Sequence, residues 1–213
     1  VDLCRRRLPE RMGIPADHIQ VLSPTRRRGT GTSALNQALQ AALNPPSEEK
    51  GERRFGDTLF REGDRVMQVK NNYDILWREE GGTASGMGMF NGDIGVIRTV
   101  DKEVVLVDFD GKLVEYTPDM LGELEPAFAV TVHKAQGSEY RAVILAALDG
   151  APMLMTRGVL YTAITRAKSL FIVVGDDGAV AHMVANNRQA RRYSGLRARL
   201  ADESGEHGEA RLP

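Results

Sequence analysis

The stretch AFAVTVHKAQGSEYRAVIL, residues 127–145, decides how the chain is read. It opens as a buried strand of small, aromatic and β-branched residues and closes on another, RAVILAAL (141–148). Between them, TVHKAQGSEY (131–140) gathers Thr131, His133, Lys134, Gly137, Ser138 and Glu139. A chain that needed only a turn could use Asn-Gly or Asp-Gly and stop. A strand that ends in small and polar residues inside an α/β sheet places them at the carboxyl edge, where such sheets hold ligands. There Gly137 lets a backbone N–H approach a phosphate closely, and Glu139 accepts from a ribose hydroxyl. Thr131 and His133 suit a phosphodiester, as hydroxyl and imidazole donors do. The alternative is a satisfied turn, with His133 bonded to backbone, Lys134 in solvent and Gly137 supplying the turn conformation.

Helix–strand alternation surrounds this stretch. IQVLS (19–23) reads as a buried strand that ends at Ser23-Pro24, and SLFIVV (169–174) as a further one. Thr32 or Ser33 caps a helix whose Leu35, Leu39 and Leu43 fall on one face, stopped by NPP at 44–46. Residues 47–56 are polar and read as loop. TRGVLYTAITRAK (156–168) reads as a helix with Leu160, Ala163, Ile164 and Ala167 as its apolar stripe. Such alternation predicts a parallel α/β sheet.

The middle of the chain differs. DRVMQVK, IGVIRTV, EVVLVDF and KLVEYT are short, β-branched and separated by turn signals, Asp110-Gly111 among them. The run EEGGTASGMGMFNGD (79–93) reads as a Gly-rich loop. The section predicts a small antiparallel barrel inserted into the α/β unit. The expected layout is therefore 1–61 and 126–200 as two parts of one α/β domain, 62–125 as the insertion and 201–213 as a disordered tail.

The chain has 213 residues, 42% hydrophobic and 27% charged, the composition of an ordinary globular protein. It shows no apolar run long enough to span a membrane and no signal peptide. A single Cys4 excludes a disulfide framework and fits a reducing, cytoplasmic setting. It opens on Val1 rather than Met, which suggests a piece of a longer protein. The net charge is -1, yet arginines cluster at 5–7, at 26–28 and between Arg188 and Arg199. Each run alone is a solvated face; together they raise the case for an anionic partner.

Two segments add to the central one. In YTAITRAK (161–168), Arg166 stands four residues from Thr162, on the helix face opposite the apolar stripe. An Arg held so can offset charge on a transferring phosphoryl group, or be a helix Arg in a weak salt bridge. In SPTRRRGTGTSALNQALQAALNP (23–45), arginines precede a Gly-containing turn and a helix start, a place suited to anions.

Together and in this order, the segments resemble the second motor half of superfamily 1 DNA helicases of the RecD-like, 5′-to-3′ group, over roughly residues 14–176. QVLSPTRRRGTGTSALNQALQAALNP resembles motif IV. GDRVMQVKNNYD with FNGDIGVI resembles the opening of the SH3-like insertion. AFAVTVHKAQGSEYRAVIL resembles motif V, and VLYTAITRAKSLFIVVG motif VI. The resemblance implies a RecA-like sheet interrupted by an SH3-like barrel. It makes Arg166 the arginine finger on the ATP γ-phosphate and Arg27 a second phosphate contact, with the choice among Arg26, Arg27 and Arg28 open. Gly137 and Glu139 would border the nucleotide, Thr131 and His133 the single-stranded DNA backbone, and Asn71, Asn72 and Tyr73 the DNA path. Tyr73 and Trp77 either stack on bases or pack in the core.

The chain contains no G-x-x-x-x-G-K-[ST]; GERRFGDT (51–58) copies the glycine spacing but has Asp57 at the Lys position, where a carboxylate repels phosphate. The resemblance therefore implies that ATP and Mg²⁺ are held mainly by an N-terminal motor domain of the same parent chain, with no metal ligands here. It implies an ATP-dependent helicase part that is inactive as an ATPase alone, with single-stranded DNA as partner and recombination-complex subunits as further candidates. A non-catalytic nucleic-acid or assembly module is the rival reading, and a nuclease subunit the third, without the acidic cluster that two-metal cleavage needs.

Overall fold

A short helix, Leu3–Arg7 in π geometry and then α1 (Leu8–Met12), precedes β1 (Ile19–Ser23), and α2 (Thr32–Leu43) follows. Next come β2 (Glu52–Phe55), β3 (Thr58–Arg61), β4 (Arg65–Gln68), β5 (Asn72–Glu79) and β6 (Ser85–Met89). They are followed by β7 (Ile94–Val100), β8 (Val105–Phe109), β9 (Lys112–Tyr116) and β10 (Leu124–Pro126). The chain then forms β11 (Ala129–Thr131), β12 (Tyr140–Ala147), α3 (Arg157–Ile164), β13 (Ala167–Gly175) and α4 (Asp177–Ala185). This computed structural model describes residues 1–27, 29–148 and 153–187. Arg28, the basic run after Arg188 and the tail expected to be disordered lie outside the described residues.

The first sheet is parallel throughout, in the order β11-β1-β12-β13. Alternate residues face opposite sides of it. Leu22, Val143 and Leu145 pack with Val159, Leu160 and Ala163 of α3 on one face. Ile19, Val21, Ala142 and Ile144 pack with Leu8 and Leu39 on the other. With both faces covered, β1 is buried at every position. That includes Gln20, whose amide donates to the carbonyls of Val21 (3.1 Å), Ala127 (3.3 Å) and Phe128 (3.2 Å).

The second sheet is antiparallel, in the order β10-β4-β7-β8-β9-β5-β6, with its own core of Phe60, Val66, Ile97, Val107, Tyr116 and neighbours. Asp110-Gly111 joins β8 to β9, as the sequence predicts. The chain passes between the sheets at one tightly bonded place. Pro126 pairs with Val66, and the Ala127 N–H donates to the Arg65 carbonyl at 2.8 Å. The Arg65 guanidinium reaches back to the Ile19 carbonyl and the Gln20 side chain, both at 3.1 Å. No helix among the described residues is long and apolar enough to cross a membrane.

Three local expectations are corrected. Within residues 47–56, expected as loop, Glu52–Phe55 form β2 of the β2–β3 hairpin, which lacks apolar alternation because β2 is largely exposed. The Gly-rich run supplies β6, paired with β5. Its Gly86 lies under the Trp77 ring, where a Cβ would stand 2.6 Å from Cζ2, so the strand is built from a residue that usually signals loop. Finally, α3 ends at Ile164, which is 45% exposed, and Thr165 and Arg166 form a turn beyond it.

Candidate functional site

The register shows where the 131–140 segment runs. Thr131 pairs beside Ser23 at the carboxyl edge of the parallel sheet, while Tyr140 pairs with Ala167 at the amino edge. The segment therefore crosses the sheet instead of staying at the carboxyl edge, and its two ends belong to different sites. β12 connects the same two edges, and at roughly 3.3 Å per residue they stand about 25 Å apart along it.

At the carboxyl edge, the loop after β1 folds over the end of the sheet. Ser23 Oγ donates to the Thr30 carbonyl at 2.8 Å, and Thr30 Oγ1 to the Leu148 carbonyl at 3.1 Å. The first N–H groups of α2 are taken by this loop: Thr32 donates to the Thr25 carbonyl and Ser33 to the Arg26 carbonyl. The helix start is thus closed by its own backbone, not open to an anion. Arg26 pairs with Glu125 at 2.6 Å, and the same carboxylate takes Lys134 at 2.7 Å. Burial pushes the Glu125 carboxyl up, Lys134 and Arg26 pull it down, and the net lies below its ordinary value. Arg27 is exposed, with no ion-pair partner for its side chain among the described residues. Thr131 Oγ1 accepts from the Lys134 N–H at 3.4 Å, and the His133 ring is exposed. Of the plain-turn alternative, the structure reverses two parts: Lys134 is paired and His133 is not.

The edge strand β11 is fastened by α2. Asn36 Oδ1 accepts from the Ala129 N–H at 2.7 Å, and its amide donates to the carbonyls of Ala129 (2.8 Å) and Pro126 (3.0 Å). One side chain does for the open flank of β11 what another strand would do.

The amino edge gathers Gly137, Glu139 and Arg166. Gly137 has φ +90°, which other residues resist, and nothing lies within 4 Å of where its Cβ would stand. Arg166 Nη1 donates to the Ser138 carbonyl at 3.1 Å and Nη2 to Thr165 Oγ1 at 3.2 Å, while its buried Nε has no partner. The Tyr140 hydroxyl is also buried without a bond of proper geometry. Burial pushes this phenol up, and Ser138, Arg65 and Arg166 beside it oppose the shift. Glu139 and Lys168 form an exposed pair at 3.7 Å. Arg166, expected on the γ-phosphate, and Arg27, expected as a second phosphate contact, stand at opposite edges of the sheet. Among the described residues no group of three His, Cys, Asp or Glu could hold a metal. The amino edge offers donors to a triphosphate but no ligand set for Mg²⁺.

The three insertion residues take different parts. Asn72 accepts from the N–H groups of Asp74 (3.2 Å) and Ile75 (3.1 Å) and donates to Glu123 at 3.0 Å, so it shapes the irregular start of β5. Asn71 Oδ1 holds the Asn91 N–H at 2.9 Å. Tyr73 is 64% exposed and meets Phe90 edge-on, ring centroids 5.7 Å apart. Trp77 instead packs on Gly86, with Lys112 4.8 Å above its ring. Sequence reasoning missed Gln20, Arg65, Asn36 and Glu125. Only Gln20 carried a signal, as a polar residue inside an otherwise apolar strand.

The family described as the ATP-dependent RecD-like DNA helicase SH3 domain matches residues 35–109, and the UvrD-like helicase C-terminal domain matches residues 126–174. The ATP-dependent RecD2 DNA helicase of Deinococcus radiodurans is 35% identical over 173 residues, covering 81% of this chain and 22% of its own length. The RecBCD enzyme subunit RecD of Mycobacterium tuberculosis is 33% identical over 186 residues, 86% of this chain and 29% of its own. The chain thus spans under a third of these curated relatives. The crystal structure of Pif1 helicase from Bacteroides in complex with ADP-AlF3 and ssDNA matches with TM-score 0.52 and 17% identity, covering 96% of this chain and 49% of that chain. The crystal structure of Pif1 helicase from Candida albicans gives 0.51, 15%, 96% and 53%. At these identities the likeness is one of fold.

Proposed function

Because the chain belongs to the RecD-like superfamily 1 helicases, matching their C-terminal part, we propose that it is the second motor domain and SH3-like insertion of an ATP-dependent 5′-to-3′ DNA helicase. The observation that carries this reading is the crossing segment, which joins one edge able to meet a DNA strand to another able to meet a nucleotide. Arg166 is the arginine finger. Its guanidinium is held by a carbonyl and a hydroxyl, with the buried Nε unspent, and a γ-phosphate offers charged acceptors that make stronger bonds than either. Gly137 and Glu139 flank the nucleotide. The P-loop and the Mg²⁺ ligands come from an N-terminal motor domain of the same parent chain, so these residues alone do not hydrolyse ATP.

Arg27 joins Thr131 and His133 on the strand phosphates and not Arg166 on the nucleotide. The exposed Tyr73–Phe90 pair of the insertion offers a ring on which a base of the strand can stack. Strand contact at one end of the segment is then felt at Arg166 at the other, the coupling a translocating motor needs. In the recombination complexes that contain RecD subunits, other subunits are further partners.

The test is steady-state ATPase of the full-length parent with single-stranded DNA present. Arg166→Ala lowers kcat by about 10³-fold or more, the range for lost arginine fingers. Turnover near wild type would instead favour a binding module that keeps the fold without the motor.

A further inference from the structure

Glu125, on the last strand of the insertion, is the meeting point of two basic segments that sequence reasoning kept apart. Arg26 Nη2 takes Oε1 at 2.6 Å and Lys134 Nζ takes Oε2 at 2.7 Å, so each oxygen of one carboxylate serves a different cation. A phosphodiester has the same feature, two non-bridging oxygens that can each accept from a separate donor. Two cations against one anion leave the cluster with a net positive charge. It is also accessible: the side chains of Arg26, Lys134 and Glu125 are 61%, 27% and 35% exposed. A cavity of about 330 Å³ opens beside it, with polar and apolar walls in similar share and Arg26, Gln37, Arg54, Asp57 and Glu125 among its lining residues. Ion pairs this exposed are weak, so a competing anion can displace one partner.

We propose that Glu125 is an internal stand-in for a strand phosphate, holding Arg26 and Lys134 in place until a phosphate of single-stranded DNA takes over both cations. This rests on the strand-binding reading of the carboxyl edge and adds how that edge is regulated. Since Glu125 belongs to β10 and Lys134 to the crossing segment, the exchange also unfastens the insertion from that segment when a strand arrives. The ordinary role, a brace between insertion and motor, makes the opposite forecast for DNA affinity.

The experiment measures binding of the 213-residue chain to fluorescein-labelled oligodeoxythymidylate by anisotropy over a series of salt concentrations. Glu125→Gln keeps the shape of the side chain and removes the competing charge. It is expected to bind about tenfold tighter at low salt, with a salt slope steeper by about 0.7, the step for one phosphate neutralised. Lys134→Gln added to Glu125→Gln abolishes most of that gain. A melting curve accompanies each variant, and Glu125→Asp, too short to span both cations, is the second variant if the first loses its fold. Tighter binding with a steeper slope sustains the exchange. Equal or weaker binding by a folded variant, with wild type still binding, overturns it and leaves the strand reading standing. Absence of binding by wild type and variants alike overturns both.

Discussion

The two edges of the parallel sheet are finished in opposite ways. At the carboxyl edge most polar groups are answered from within: Ser23 and Thr30 close the loop, Asn36 seals β11, and Glu125 neutralises Arg26 and Lys134. At the amino edge a buried Arg166 Nε and a buried Tyr140 hydroxyl are left over, and Glu139 holds only an exposed partner. A buried donor without an acceptor is costly, and native structures tolerate few of them. The contrast teaches that the carboxyl edge is satisfied before a ligand arrives, so that a strand must exchange for contacts already made, whereas the amino edge keeps buried polar groups unspent.

The largest effect that can break this comparison lies between the two arginines. Where Arg166→Ala in the parent lowers kcat about 10³-fold, Arg27→Ala is expected to leave kcat at saturating DNA within a few fold and to raise the DNA needed for half-maximal stimulation. Arg166→Lys recovers little, because a point charge does not reproduce the planar fork. Equal kcat losses for the two would place both on the nucleotide and contradict the separation of edges.

The second test is thermal. Asn36 makes two bonds to Ala129 of the edge strand and one to the Pro126 carbonyl at the end of β10, so Asn36→Ala leaves these backbone groups without their partners. The expected cost is about 2–3 kcal/mol, a fall in Tm of about 5–10 °C for a chain of this size. Arg166→Ala, at the unfinished edge, should hardly move the same melting curve. A melting point unchanged in Asn36→Ala would mean that β11 needs no fastening.

Much of this division can be read from the sequence, though not all of it. The parallel strands are legible because burial on both faces forces near-continuous apolar runs such as RAVILAAL, and the antiparallel ones because Val and Ile recur between turn residues. The β2–β3 hairpin is not legible, since ERRF buries too little to show a period. Neither is β6, whose Gly86 answers to the Trp77 ring on the neighbouring strand. The site residues are legible as a set but not as a geometry. Thr131 and Arg166 are named by their segments, yet only the register shows that those segments reach opposite edges. Glu125 had no local signal, because its role depends on cations 99 and 9 residues away. The sequence pattern extends the helix through Arg166 because Ile164 continues an apolar period that tertiary packing does not use.

A smaller effect separates the edges by pH. The folded pKa of Glu125 is held below its unfolded value, so the fold favours the ionised form. Its contribution is present above the ordinary carboxylate range and is lost as pH falls through the lowered value. The amount is at most about 1 kcal/mol for a pair this exposed. Melting curves of wild type and Glu125→Gln should therefore differ slightly at neutral pH, begin to close as pH falls past the ordinary glutamate value of about 4.3, and converge only below the lowered folded value. A gap that widens on acidification would show that another group holds the carboxyl edge.

The smallest expected effect is the most discriminating for the amino edge. Tyr116, in the core of the insertion, donates its hydroxyl to Gln68 Oε1 at 2.8 Å, so its oxygen belongs to the fold. The Tyr140 ring likewise packs against a core, but its buried hydroxyl, with Ser138 beside it, makes no hydrogen bond of proper geometry. Tyr140→Phe keeps the ring and removes only that oxygen, leaving no new group unsatisfied. Its effect on stability should stay within about 0.5 kcal/mol, with a sign that leans toward stabilisation because an unpaired buried hydroxyl is lost. Denaturant titration of wild type and Tyr140→Phe, compared at equal m-value, measures it. A loss well above that range would mean that the hydroxyl is bonded in the folded protein, that the amino edge is answered from within as the carboxyl edge is, and that the contrast between them rests on Arg166 alone.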